Sequence, residues 1–293
     1  MEYQSELDIQ SHRLGLAGVL SPRSFLLNLV EGLRLLRRSR KLAAAMAVRE
    51  LRSRYSGQFA GAFWIVGHPI FQMLVFIFIF GVVFQQRIGG TVELPRDYTT
   101  YILSGLIPWL TLSSALPGLC SSVLSNSTLV KQFTFQTEVL PIKDVLISMV
   151  FWMVGMVLTA IYEVAVNGSL PWTYLLLPFV LGLNLLFAIG LGWMLSAVGV
   201  FVRDMKDIAA VLVTAGIYIL PVVYLPAWVP RLFRPFVEFN PFSSLIWVYQ
   251  DAIYFGRIEH PGAWIFFTAM SLLVFSFGFR LFQALKPYFG KVL

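Results

Sequence analysis

Six stretches of this chain are apolar for long enough to cross the hydrocarbon of a bilayer as helices, which takes about 20 residues each. No other feature limits the fold so tightly. The stretches run over 62–85, 99–123, 145–166, 174–202, 208–225 and 263–285. Between them, turn formers and charges gather over 87–98 with Gly89, Gly90 and Pro95, over 124–144, over the short 167–172, over 203–207 and over 226–262. The expected class is an all-α integral membrane protein with six transmembrane helices. Composition agrees, because only 13% of the 293 residues are charged and 58% are hydrophobic, where a soluble domain carries about 25% charge.

Charge placement then orients the bundle. The first 30 residues lack the uninterrupted apolar core and cleavage site of a secretory signal and carry Glu6, Asp8, His12 and Arg13 instead. All but five of the 22 lysines and arginines fall on the side of the N-terminus, the exceptions being Arg87, Arg96, Arg231, Arg234 and Arg257. By the positive-inside rule both termini are expected in the cytoplasm. The net charge of +7 reads as membrane anchoring rather than nucleic-acid binding, since the basic residues crowd beside apolar runs.

The parts follow from that plan. Residues 1–23 are expected as a cytoplasmic extension, 24–61 as amphipathic interfacial helices, 62–285 as the membrane domain and 286–293 as a cytoplasmic tail. Leu26, Leu29, Val30, Leu33 and Leu36 recur at helical spacing while Arg34, Arg38 and Lys41 point elsewhere. A second helical stretch, 42–55, leads to the first span. A plain positive-inside anchor would show the same charges. The outer region 226–262 is rich in aromatic rings but cut by Pro226, Pro230, Pro235 and Pro241, so short re-entrant or interfacial helices are expected there between spans five and six.

The sequence lacks a G-x-x-x-x-G-K-[ST] phosphate loop, an H-E-x-x-H and a G-x-S-x-G. Its histidines, His12, His68 and His260, are scattered, and the single cysteine, Cys120, allows no intrachain disulfide. Ionisable residues within the spans are few, chiefly Glu163 and His68 near span ends, whereas ion-coupled carriers usually place carboxylates near the bilayer middle. Driving energy is therefore expected from another subunit.

Several motifs, in order, resemble the permease subunit of type-2 ABC transporters that export polysaccharide such as O-antigen, capsule or teichoic-acid precursors. The motifs are Glu50-Leu51-Arg52-Ser53-Arg54-Tyr55 with Gly57, Gly61, Trp64 and Pro69, then Ser104-Gly105-Leu106-Ile107-Pro108-Trp109, then Asn126 through Lys131 to Glu138-Val139-Leu140-Pro141. Arg203-Asp204, Pro221 and Asn240-Pro241 complete the series. Gln136 and Gln250 depart from it, standing where a proline and an arginine are common. The resemblance implies a homodimer with two separate ATPase subunits, which hold the ATP and Mg, moving a lipid-linked polysaccharide across the bacterial inner membrane, with O-antigen the leading case and no cofactor on this chain.

That family also implies sites. A coupling loop over 124–140 would meet the ATPase through Asn126, Leu129, Lys131, Phe133 and Glu138. Tyr101, Ser104, Pro108, Trp109 and Tyr218 would line a channel, Asn240, Pro241 and Phe242 would form an outer gate, and Arg52, Arg54 and Tyr55 a cytoplasmic entrance. Two competing readings share parts of the pattern. One is a permease for a drug or small lipid; the other is a membrane transferase using Arg203, Asp204, Lys206 and Asp207.

Overall fold

The computed structural model describes residues 22–54, 56–57, 61, 63–83, 96–131 and 135–293. Residues 1–21, Tyr55, most of the 87–98 loop and Phe133 lie outside the described residues. Among those described, every regular element is helical. Five helices, Phe63–Val83, Tyr98–Ser121, Val139–Asn167, Trp172–Gly199 and Pro261–Val292, are long and apolar enough to cross a membrane.

The first helix, α1, runs unbroken over Pro22–Arg54, where two stretches were expected. The joining sequence, Arg37 to Lys41, contains neither proline nor glycine and is mostly of good helix formers. Its packed face coincides with the leucine stripe only at Leu29 and Leu36. Gly32, Ser39, Ala43 and Ala47 are buried, whereas Leu26, Val30 and Leu33 are exposed. Small residues allow α1 to lie close against the bundle, with Leu29, Leu35 and Leu36 packed at its margin and Leu26, Leu27 and Leu33 pointing away.

Next comes α2, Phe63–Ile77, continued by a π-helical turn over Phe78–Val83. Helix α3, Tyr98–Ser121, begins where the Asp97 carboxylate accepts the Thr100 N–H at 3.0 Å, a side-chain N-cap. After a 3-10 turn, Leu124–Asn126, a four-residue helix α4 covers Ser127–Val130. Helix α5, Val139–Asn167, stops at Gly168, whose φ of 77° suits glycine. The 3-10 turn Trp172–Leu176 leads into α6, Leu177–Gly199, and α7 covers Met205–Ile219.

The apolar run expected to continue as a helix to 225 ends six residues early. Leu220 is extended (φ −85°, ψ 154°) because Pro221 follows it, and proline pushes the preceding residue out of the helical region. Helix α7 is thus 15 residues long, below the length of a span. The 226–262 region holds a 3-10 turn at Pro226–Trp228, a short helix α8 at Arg234–Glu238, and α9 at Pro241–Gln250 with a π-helical turn over Asp251–Phe255. Helix α10, Pro261–Val292, continues past the expected end at 285 despite Pro287.

Helix α3 is the axis of the fold, flanked by α5, α6, α7 and α9. The closest pairing joins α6 to α10. A Cβ added at Gly190 would stand 2.5 Å from the Phe275 backbone, so only glycine permits this crossing, the small-residue packing typical of membrane helices.

Candidate functional site

Where α3 ends and α5 begins, the α4 turn presents Ser125, Thr128 and Lys131 to the surface, with Asn126 and Leu129 half-buried. The Asn126 amide donates to the Ser122 carbonyl at 2.8 Å and so pins the turn to the end of α3. Glu138 behaves differently. It is buried, and its Oε1 accepts from Lys286 Nζ at 2.7 Å and Gln283 Nε2 at 2.9 Å, both on α10. Its carbonyl accepts the Trp193 Nε1–H at 3.0 Å.

One turn along α5, Lys143 lies between Asp144, at 2.9 Å, and Glu50 of α1, to which it donates. Burial opposes the charge on Glu50, but the Lys143 ammonium and the Arg54 guanidinium outweigh it and hold the carboxyl below its ordinary value. Arg54 pairs with Glu50 at 3.2 Å, and Arg52 is exposed nearby. Arg203, Asp204, Lys206 and Asp207 are all exposed at the turn from α6 to α7, so no enclosed catalytic pocket forms around them.

In the middle of the fold, Trp109 is buried with its indole against Gly216 of α7, where any Cβ would collide with the ring. Phe242 meets Trp109 edge-on at 6.1 Å and Phe187 at 5.6 Å. A cavity of about 310 Å³ opens here, walled by Trp109 and Leu116 of α3, Leu191 and Leu195 of α6, Leu212 of α7, and Phe242. The structure thus brings Trp109 together with Asn240 and Phe242. Tyr218 is not part of that group; it is 73% exposed on the outward face of α7.

Tyr101, Ser104 and Pro108 are buried inside the protomer. The reason lies in the broken end of α7. Backbone that leaves the helix at membrane depth must find partners within the protein. The Tyr101 hydroxyl donates to the Tyr224 carbonyl at 3.2 Å, Tyr98 to that of Val223, and Gln250 Nε2 to that of Pro221 at 3.2 Å. Asn240 caps α9, its Oδ1 accepting the Phe242 N–H at 2.9 Å, with Pro241 at the first helical position.

At the opposite end of the bundle, where α3 begins and α5 ends, sits a polar cluster outside the expected site residues. Arg96 pairs with the fully buried Glu163, which also accepts from the Tyr174 hydroxyl at 2.6 Å. Asp97 accepts from Tyr162 and Asn167, each at 3.1 Å, and Tyr254 donates to the Arg96 carbonyl at 2.8 Å. Nearby, the buried Asp251 accepts from the His260 backbone and from Trp264 Nε1, each at 2.9 Å. Asp97 was legible as an N-cap before an apolar run, and Glu163 as a rare ionisable residue in a span. Nothing local pairs Arg96 with Glu163.

Comparison with known proteins bears on all three layers. Residues 41–254 match the family described as "ABC-2 type transporter". The chain is 24% identical over 255 residues to the O-antigen export system permease protein RfbA of Klebsiella pneumoniae, covering 86% of this chain and 95% of that protein. It is 26% identical, with the same coverage, to a protein of that name from Myxococcus xanthus. The polysialic acid transport protein KpsM of Escherichia coli is 19% identical over 82% of this chain and 91% of its own length.

Proposed function

The chain belongs to the ABC-2 type transporter family, and from that premise we propose that it is the permease through which a lipid-linked polysaccharide, O-antigen before other polymers, leaves the bacterial inner membrane. The carrying observation is that relatives named for O-antigen export match it across 86% of its length and 95% of theirs. In this reading two copies assemble with two ATPase subunits, which bind ATP and Mg, and both termini lie in the cytoplasm.

The geometry supports a physical job for each layer. Helix α7 rises about 22 Å, short of the ~30 Å hydrocarbon core, and the irregular 220–225 segment, bonded by Tyr98, Tyr101 and Gln250, completes a sixth crossing. Helix α9 is a re-entrant element whose capped start carries the outer gate of Asn240, Pro241 and Phe242. Helix α1 lies in the inner interface with Leu26 and Leu33 in lipid. A polymer is too long to be enclosed in a pocket, so a conduit between two copies carries it past the exposed face of α7 with Tyr218, while Trp109 and Phe242 support that face from behind. The exposed α4 turn, with Leu129 and Lys131, docks in the ATPase.

The test is reconstitution of the permease with its ATPase in vesicles loaded on the outer leaflet with lipid-linked polymer. ATP should move the polymer into the lumen, out of reach of an added glycan-cleaving enzyme. Equal cleavage with and without ATP, in vesicles that hydrolyse ATP, would refute the export reading.

A further inference from the structure

We propose that Glu138 is the post through which the ATPase-facing loop moves the last membrane helix: a positioning residue that passes displacement to α10, not a contact for the ATPase. This inference rests on the reading above that the α4 turn meets an ATPase. Glu138 stands where the chain beyond that turn becomes α5, so displacement of the loop reaches α5 through it, as it reaches α3 through Asn126.

Glu138 is fastened through one carboxylate oxygen, Oε1, and through its carbonyl, while Oε2 is buried without a partner. The side chain is 5% exposed and so offers no surface for another protein. Lys286 and Gln283 lie three residues apart on one face of α10 and hold one carboxylate oxygen from two directions, at 2.7 and 2.9 Å. The Trp193 indole holds the carbonyl at 3.0 Å, while its ring packs against Phe275 and Phe279 of α10 at centroid distances of 5.1 and 5.2 Å. One residue is therefore tied to α10 directly and again by way of α6. Charge-assisted bonds are the stronger and more directional kind, and a buried carboxylate resists separation from its cation. When α4 is displaced, α10 must follow or the pair must break. The neighbouring tie from Lys143 to Glu50 joins α5 to α1 and does not reach α10.

The experiment uses the complete transporter in vesicles, comparing wild type with Glu138→Gln, which keeps shape and loses charge, and with Lys286→Met, at a half-exposed site that tolerates change. Both variants should retain the ATPase in wild-type amount and hydrolyse ATP at the wild-type rate, while polymer moved per ATP falls about tenfold, within the range of a coupling free energy. The swap Glu138→Lys with Lys286→Glu should recover part of that loss. Unchanged transport per ATP in Lys286→Met would overturn the proposal, as would release of the ATPase by Glu138→Gln, which would make Glu138 a docking contact and leave the export reading intact. A wild-type permease that holds no ATPase would remove both.

Discussion

Helices α2 and α3 make opposite use of their apolarity. The α2 span, with a mean hydropathy of 2.1 in its most apolar window, has only 17% of that window buried, whereas α3, at 1.4 the least apolar of the five, has 83% buried. In water the order would be reversed. In a bilayer the solvent is as apolar as leucine, so hydrophobicity does not drive helices together, and packing and polar bonds decide what goes inside. Helix α3 buries Thr99, Thr100, Ser104, Thr111 and Ser113, and Ser104 and Thr111 each donate to a carbonyl of the preceding turn at 2.7 Å. Helix α2 turns Phe63, Phe71 and Phe78 outward. The inner span specifies the fold of the chain, and the outward faces are left uncovered by it.

That contrast breaks if inward positions tolerate change as well as outward ones. The largest effect belongs to Gly190→Leu, which forces a side chain into the Phe275 backbone; no folded protein should be recoverable from membranes in a gel-filtration assay. Glu163→Ala comes next. It leaves Arg96 without its buried partner and should cost about 3–5 kcal/mol, read as loss of the thermal transition in detergent. A pair of variants then sharpens the contrast. Trp109→Ala should destabilise by about 3 kcal/mol by emptying the space beside Gly216, while Tyr218→Ala changes stability by under ~0.5 kcal/mol yet lowers surface polysaccharide in cells. Equal stability losses would place Tyr218 in the packed core. Smallest of all, Phe71→Leu on α2 should leave both stability and export within error of wild type.

Much of this was legible in sequence, because the bilayer sets a length that apolar runs either meet or do not. Five of the six expected spans appear as helices within a few residues of their expected limits, apart from the extensions of α5 to Val139 and of α10 to Val292. The sixth was misjudged at its end although Leu220-Pro221 carried the signal, since hydropathy continues through a proline that backbone geometry does not. The short helices of the 226–262 region were foreseen from their prolines. Facing was not. Tyr101 and Trp109 share a helix face with Ser104, but whether that face meets a channel or the broken end of α7 depends on Tyr224 and Gly216, more than 100 residues away in the chain. The ties of Arg96 to Glu163, 67 residues apart, and of Glu138 to Lys286, 148 residues apart, are also distant in the chain, and single-sequence patterns carry no record of such pairs.

Export of a lipid-linked polymer is the central claim, and it is tested most directly in a polysaccharide-producing host from which this gene is deleted and then restored. Antibody labelling of intact and of permeabilised cells separates polymer outside from polymer inside. Deletion should abolish labelling of intact cells while permeabilised cells label at least as strongly as wild type, because synthesis continues without an exit, and the restored gene should return the polymer to the surface. Surface labelling that persists in the deletion strain, or polymer missing from both compartments, would contradict the account.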